Sequence, residues 1–221
     1  MRDKKKMDKE KTDKKEHILD VAEKVFSEHG FDGASTRMIS GEANVNMAML
    51  NYYFGSKEGL FIAVVERKIT SFEDILQSVG NAENKSSWQK IETYINLYGD
   101  KVVNNNCFQK LLYREMGINR RTELSDKLRS LLMVNVKALE KIINEGVKSG
   151  EFNKDVDTTM VIATLYGTKN FIINTPLMSS IMLGFDVQDE ELMQKDLKPR
   201  LKNYMKNLLK AYLLKENDNT K

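Results

Sequence analysis

Residues 44–57 read NVNMAMLNYYFGSK and bring amides, phenols and an ammonium within a few turns of one another. These groups bind rather than catalyse. An asparagine such as Asn51 can bond an adenine edge in bidentate fashion, and Met47 or Ala48 can meet a thymine methyl. Ser56-Lys57 opens the next helical run, where free backbone N–H groups beside a lysine would hold a phosphate. Taken alone, Tyr52-Tyr53-Phe54 reads as core. The turn before it and the Ser-Lys after it make it a contact surface instead.

No other chemistry is spelled out. His17 and His29 have no companion ligands, and Cys107 has no base in view and reads as a buried small residue. Gly55-Ser56-Lys57-Glu58-Gly59 lacks the Walker spacing and a preceding strand. No paired acid and base or nucleophile cluster appears. The expectation is a protein that is not an enzyme, with no cofactor and no metal.

The face that carries Asn51 has to be held by helices. Ile18, Leu19, Ala22, Val25 and Phe26 recur at three- and four-residue spacing, and Gly30 supplies a stop. Ser35 is a good N-cap for a short helix carrying Met38, Ile39 and Ala43. Asn44 follows, and asparagine tolerates the left-handed conformation that ends many helices. Asn46 is again a capping type, and the third helix spans about Met47–Tyr53, closed by Phe54-Gly55. Two short helices joined by Asn44-Val45-Asn46 suit a helix-turn-helix, whose second helix lies in the major groove. Val45, Leu50 and Phe54 would pack inward, which leaves Asn46, Met47, Ala48, Asn51 and Tyr52 pointing elsewhere.

Further along, Ser56 caps a fourth helix with apolar positions from Leu60 to Val79. Similar stripes mark a fifth helix from Trp88 to Val102, a sixth from Phe108 to Met116 and a long seventh from Leu124 to Val147. An eighth covers Met160 to Leu183, interrupted or kinked near Pro176, and a ninth carries Leu201 to Leu213. No segment alternates with a period of two, and no internal repeat is visible. The fold class is all-α, with about nine helices. The chain divides into a mobile basic arm (1–12), a helix-turn-helix domain (13–56), a larger helical domain (57–215) and a polar tail (216–221).

Composition bounds the function. The 221 residues are 41% hydrophobic and 30% charged, in the range of a water-soluble globular protein. No apolar run reaches the roughly 20 residues needed to cross a bilayer, and the N-terminus lacks the apolar core of a signal peptide. A single cysteine and no export signal point to the cytoplasm. Residues 1–16 carry eight basic side chains against five acidic, whereas residues 17–60 carry three against six. Composition alone does not announce a nucleic-acid binder. Since binding to DNA rests on neutralised phosphates, the basic arm is expected to add contacts, and deleting residues 2–12 to flatten the salt dependence.

Residues 36–46, TRMISGEANVN, followed by LNYYFGSKEGLF at 50–61, resemble the DNA-binding domain of TetR-family transcriptional regulators. The likeness covers about residues 15–62; beyond it the chain agrees with the family only in length and helicity. It departs at one point, where the usual turn glycine is Asn44. The resemblance implies that Thr36 and Arg37 meet the DNA at the start of the second helix. It puts Asn46, Met47, Ala48, Met49 and Asn51 at recognition-helix positions, with Tyr52 beside them, and Tyr53 and Lys57 where phosphates are gripped. Arg37 and Asn51 would carry much of the base readout.

The larger domain then has two tasks. Its last two helices are apolar enough to form a homodimer, which would present two recognition helices one DNA turn apart to a palindromic operator of double-stranded DNA. Its middle helices could enclose a small-molecule effector, unidentified from sequence, among Tyr94, Tyr98, Phe108, Tyr113, Met116, Met133, Tyr166, Asn170, Phe171 and Asn174. Each of these is also a plausible plain core residue. The expected function is a ligand-responsive regulator, by the family's usual sign a repressor, released from its operator by the effector. The alternatives are an activator, an effector-independent regulator, an all-α enzyme or a protein-interaction module.

Overall fold

A computed structural model of the chain describes residues 2–103, 111, 112, 115 and 123–215, the side chains of 2–11, 71, 72 and 101–103 excepted. Its helices are α1 (Arg2–Gly33), α2 (Thr36–Glu42), α3 (Met47–Phe54), α4 (Lys57–Gly80), α5 (Ser87–Val103), α6 (Glu123–Ser149), α7 (Thr158–Asn174) and α8 (Pro176–Leu183). A single turn, α9 (Glu190–Leu192), runs through a π-helical stretch, Met193–Leu197, into α10 (Lys198–Leu213). Among the described residues there is no strand, only an isolated bridge between Phe152 and Leu214. The fold is all-α, as the periodicity requires.

One boundary differs from expectation, and two expected breaks take a definite form. α1 begins at Arg2, so the basic segment 2–12 has helical backbone; lysine, glutamate and methionine are good helix formers. At Gly30 the backbone leaves the helix (φ 73°, ψ 172°), a conformation open to glycine. Pro176 ends one helix and starts the next rather than bending a continuous one. Thr175 before it has left the helical region (φ −123°, ψ 59°), as the clash with a following proline favours, and Pro176 takes the first helical position, where no N–H is needed. Of the sixth expected helix, Leu111, Leu112 and Glu115 are helical. Phe108, Met116, Cys107 and the tail 216–221 lie outside the described residues.

The chain forms two compact units, residues 1–71 with 107–132, and residues 72–106 with 133–221. In the first, Ile18, Leu19, Ala22, Val25 and Phe26 of α1 close on Ile39 of α2, Leu50 of α3 and Leu60, Phe61 and Val64 of α4. Rings reinforce this core, with Phe26 and Phe31 meeting Phe61 at centroid distances of 5.0 and 5.2 Å. An ionic tie flanks it. Glu16, Asp20 and Glu23 recur at helical spacing on α1, and the Arg67 guanidinium of α4 reaches all three, closest to Asp20 Oδ1 at 2.7 Å. Burial works against the Arg67 charge, yet the bonds to Asp20 and Glu16 leave its pKa raised.

In the second unit, Ile91, Tyr94, Ile95 and Tyr98 of α5 pack with Leu165 of α7 and with Leu201, Met205 and Leu209 of α10. Glu151 caps α5, accepting from the N–H groups of Ser87 and Trp88 at 2.7 and 2.9 Å. Burial alone would push that carboxyl up; the N–H of Trp88 and the hydroxyls and N–H of Ser86 and Ser87 hold it below the usual carboxylate range. Asp100 takes ion pairs from Lys198 and Lys202 at 2.7 and 2.9 Å, and these two ammonium groups lower its pKa.

Candidate nucleic-acid interface and effector core

Every turn around α3 is fixed by a local hydrogen bond. The Ser35 hydroxyl accepts from the Met38 N–H at 3.1 Å and starts α2. After α2, Asn44 adopts φ 52°, and the Val45 N–H returns to the Ser40 carbonyl at 3.0 Å. The Asn46 side chain then accepts from the Met49 N–H at 2.8 Å and starts α3. At the far end Gly55 (φ 72°) donates to the Asn51 carbonyl at 2.9 Å. Gly59 is required by space, because a Cβ there would lie 2.1 Å from the Phe54 carbonyl oxygen. The result is a short helix whose orientation on α2 is set at both ends.

Leu50, 2% exposed, anchors the inner face of α3, and Val45, Met49, Tyr53 and Phe54 pack partly against the same core. Asn46, Met47, Ala48 and Asn51 are exposed, and Tyr52 is 74% exposed with its ring edge-on to Tyr53 at 5.2 Å. At the start of α2, Arg37 is exposed and Thr36 half-buried. The outward set on α3 is thus mostly polar or small, with Met47 its one aliphatic member. Met49 and Tyr53 are shared between surface and core. Lys57 turns its ammonium toward the protein, to the carbonyls of Ala34 (2.9 Å) and Asp32 (3.4 Å) and over the Phe31 ring (4.6 Å).

Sequence reasoning missed two supports of this face. His17, expected as a bare surface residue, is exposed but places Nε2 3.2 Å from the Ala43 carbonyl at the end of α2. Arg67 is the other; the acidic spacing on α1 was its one legible sign. Among the described residues no group of His, Cys, Asp or Glu is arranged to hold a metal ion, and no helix is long and apolar enough to cross a membrane.

In the second unit, three of the expected effector residues come together. Tyr94 and Tyr98 stack at 5.7 Å, and Tyr166 meets Tyr98 edge-on at 5.9 Å. Tyr98 donates to the Leu165 carbonyl at 2.7 Å. Burial raises the Tyr166 phenol above its ordinary pKa, and a bond with Tyr94 works the other way. Two buried polar residues that sequence reasoning passed over belong to this unit: Lys169, 7% exposed with its ammonium 5.5 Å from the Tyr98 centroid, and Asn135, 8% exposed on α6. Met133, Asn170, Phe171 and Asn174 are exposed and do not join the tyrosines, and Asn174 bonds Asn170 along α7. Tyr113, like Phe108 and Met116, lies outside the described residues.

The second unit also exposes apolar side chains. On α8, Leu177 and Ile181 are 82% and 79% exposed, with Met178 and Met182 beside them. A groove of about 530 Å³ lies between α7 and α10, lined by Ile172, Leu197, Arg200, Leu201 and Tyr204 among others and meeting α8 only at its last residue, Leu183.

Residues 18–64 match the family described as bacterial regulatory proteins, tetR family, and residues 88–198 match the tetracyclin repressor-like C-terminal domain. The HTH-type transcriptional repressor NicS of Pseudomonas putida is 31% identical over 180 residues, spanning 80% of this chain and 84% of that protein. The fatty acid metabolism regulator protein of Bacillus subtilis is 25% identical over 175 residues, 77% of this chain and 87% of that protein. Among solved structures, the transcriptional regulator FadR from Bacillus subtilis in complex with stearoyl-CoA superposes with TM-score 0.70 at 22% identity, covering 87% of this chain and 96% of FadR. The SmeT–triclosan complex gives TM-score 0.72 at 18% identity, covering 92% and 93%.

Proposed function

The chain belongs to the tetR family of bacterial regulatory proteins, and on that premise we propose that it is a ligand-responsive repressor that grips a palindromic operator as a dimer. The observation that carries the reading is the outward face of α3, with Asn46, Met47, Ala48, Asn51 and Tyr52 displayed from a helix that Leu50 and the capping Asn46 side chain hold in place. Seated in the major groove, Asn51 reads an adenine edge and Met47 and Ala48 meet thymine methyls, while Arg37 and Thr36 approach from the start of α2. Met49 and Tyr53 support the face from its rim, Tyr53 toward a phosphate.

The dimer forms through the outer faces of α7, α8 and α10. Leu177, Met178, Ile181 and Met182 are too extensive an apolar surface to leave in water, and a second copy covers them across a two-fold axis. The effector enters among Tyr94, Tyr98 and Tyr166, and binds best to a dimer whose two reading heads no longer match the operator spacing. Relatives suggest probes: stearoyl-CoA, held by FadR, and triclosan, held by SmeT.

The test is a footprint of the full-length protein on the DNA upstream of its own gene, followed by titration with stearoyl-CoA and with triclosan. Protection of a two-fold symmetric site that one probe relieves is the expected result. Failure to protect any fragment, there or in a genome-wide binding screen, overturns the reading.

A further inference from the structure

Lys57 stands where the reading above would place a phosphate contact, yet its surroundings point inward. It is the first residue of α4, where a positive side chain opposes the helix dipole. What offsets that is the end of another helix. The ammonium donates to the carbonyl of Asp32, among the last orphan carbonyls of α1, and to that of Ala34, and it lies 4.6 Å from the centre of the Phe31 ring. Phe31 is itself fixed, packed on Phe26 and Phe61 in the core. The two carbonyls flank Gly33, where α1 gives way to the short connection that leads into α2. Ala34 is followed at once by the cap Ser35 and then by Thr36 and Arg37.

We infer that Lys57 is a positioning residue for DNA binding: it ties the α1–α2 connection to the start of α4 and thereby aims Thr36 and Arg37. Two of its three N–H bonds are committed inside the protein, so its charge does not have to be spent on phosphate. Removing it frees the connection ahead of α2 while α3, capped by Asn46 and anchored by Leu50, keeps its place.

This rests on the regulator reading, and the experiment separates the two. The probe is a duplex selected from a random pool by the full-length protein. Its affinity is measured across salt concentrations for Lys57→Met, which keeps the apolar stem over Phe31, in the wild type and in the Thr36→Ala/Arg37→Ala background. Positioning predicts about a tenfold loss in the wild type, the scale of one hydrogen bond to a charged group. In the background that already lacks both contacts it predicts no change in affinity or salt slope. A direct phosphate contact predicts a slope smaller by about 0.9 in both, which overturns the inference. Wild-type affinity in the Thr36→Ala/Arg37→Ala protein also overturns it, leaving the regulator reading intact. A wild-type protein that selects no duplex overturns both. Lys57→Gln, also neutral, gives the same contrast if the methionine variant does not fold.

Discussion

Helices α3 and α8 are each eight residues long, and each turns side chains to solvent from a position fixed at both ends. What they expose differs. α3 buries Leu50 and shows amides, a phenol, the short Ala48 and one apolar side chain, Met47 at 38% exposure, so most of its exposed surface loses little by staying in water. α8 buries Ser179 and shows Leu177, Met178, Ile181 and Met182, which gain by leaving it. Of two helices that both face solvent, one is suited to a wet, polar groove and the other to a dry, apolar partner. Under the proposed function, the chemistry of the exposed atoms, not the degree of exposure, is what assigns nucleic acid to one and a second copy to the other.

The contrast is broken most severely on the α8 side. Leu177→Glu with Ile181→Glu removes side chains worth about 1.5–3 kcal/mol each on full burial, doubled by two-fold symmetry. Sedimentation is expected to find a monomer at concentrations where the wild type is a dimer, with operator binding lost although α3 is untouched. A dimer of unchanged strength would place the partner elsewhere.

On the side of α3 and the start of α2, Asn51→Ala and Arg37→Ala are each expected to weaken operator binding by about 1–3 kcal/mol and to relax preference at one base pair per half-site. The dimer should be unaffected. Binding to mismatched duplexes measures this directly.

Smaller changes sharpen the comparison by touching neither face. Glu151→Gln weakens the cap of α5 and is expected to cost about 1 kcal/mol in thermal unfolding. The folded-state pKa of Glu151 is depressed, so its contribution is present above the unfolded carboxylate value and disappears as pH falls through the folded one. The glutamine variant should therefore lose part of the acid sensitivity. Asp100→Asn should act in the same direction and more weakly, below about 1 kcal/mol, because its ion pairs with Lys198 and Lys202 are open to solvent.

Much of the reading unit was legible in the sequence because its determinants are local. Ser35, Asn44 and Asn46 act within three to five residues of themselves, and the spacing of Leu50 and Phe54 defines an inner face. The supports of that face were not legible. Lys57 meets carbonyls 23 and 25 residues back, and Arg67 reaches acids more than 40 residues away. In the second unit, helical spacing said that Tyr98, Tyr166 and Phe171 lie on helices, but two helices can be rotated about their axes without changing either pattern. Packing set that rotation and left Phe171 in solvent while closing Tyr98 inside.

By itself, then, the sequence determined the all-α class, the turn that joins α2 to α3, and the polar strip that α3 displays, since each depends on backbone preferences and spacings inside one short stretch. Tertiary structure alone decided which charges are turned inward, which aromatic rings cluster and which apolar helix is left uncovered. Those outcomes depend on what lies opposite in space, and residues far apart in the chain carry no record of their distance until the core has closed.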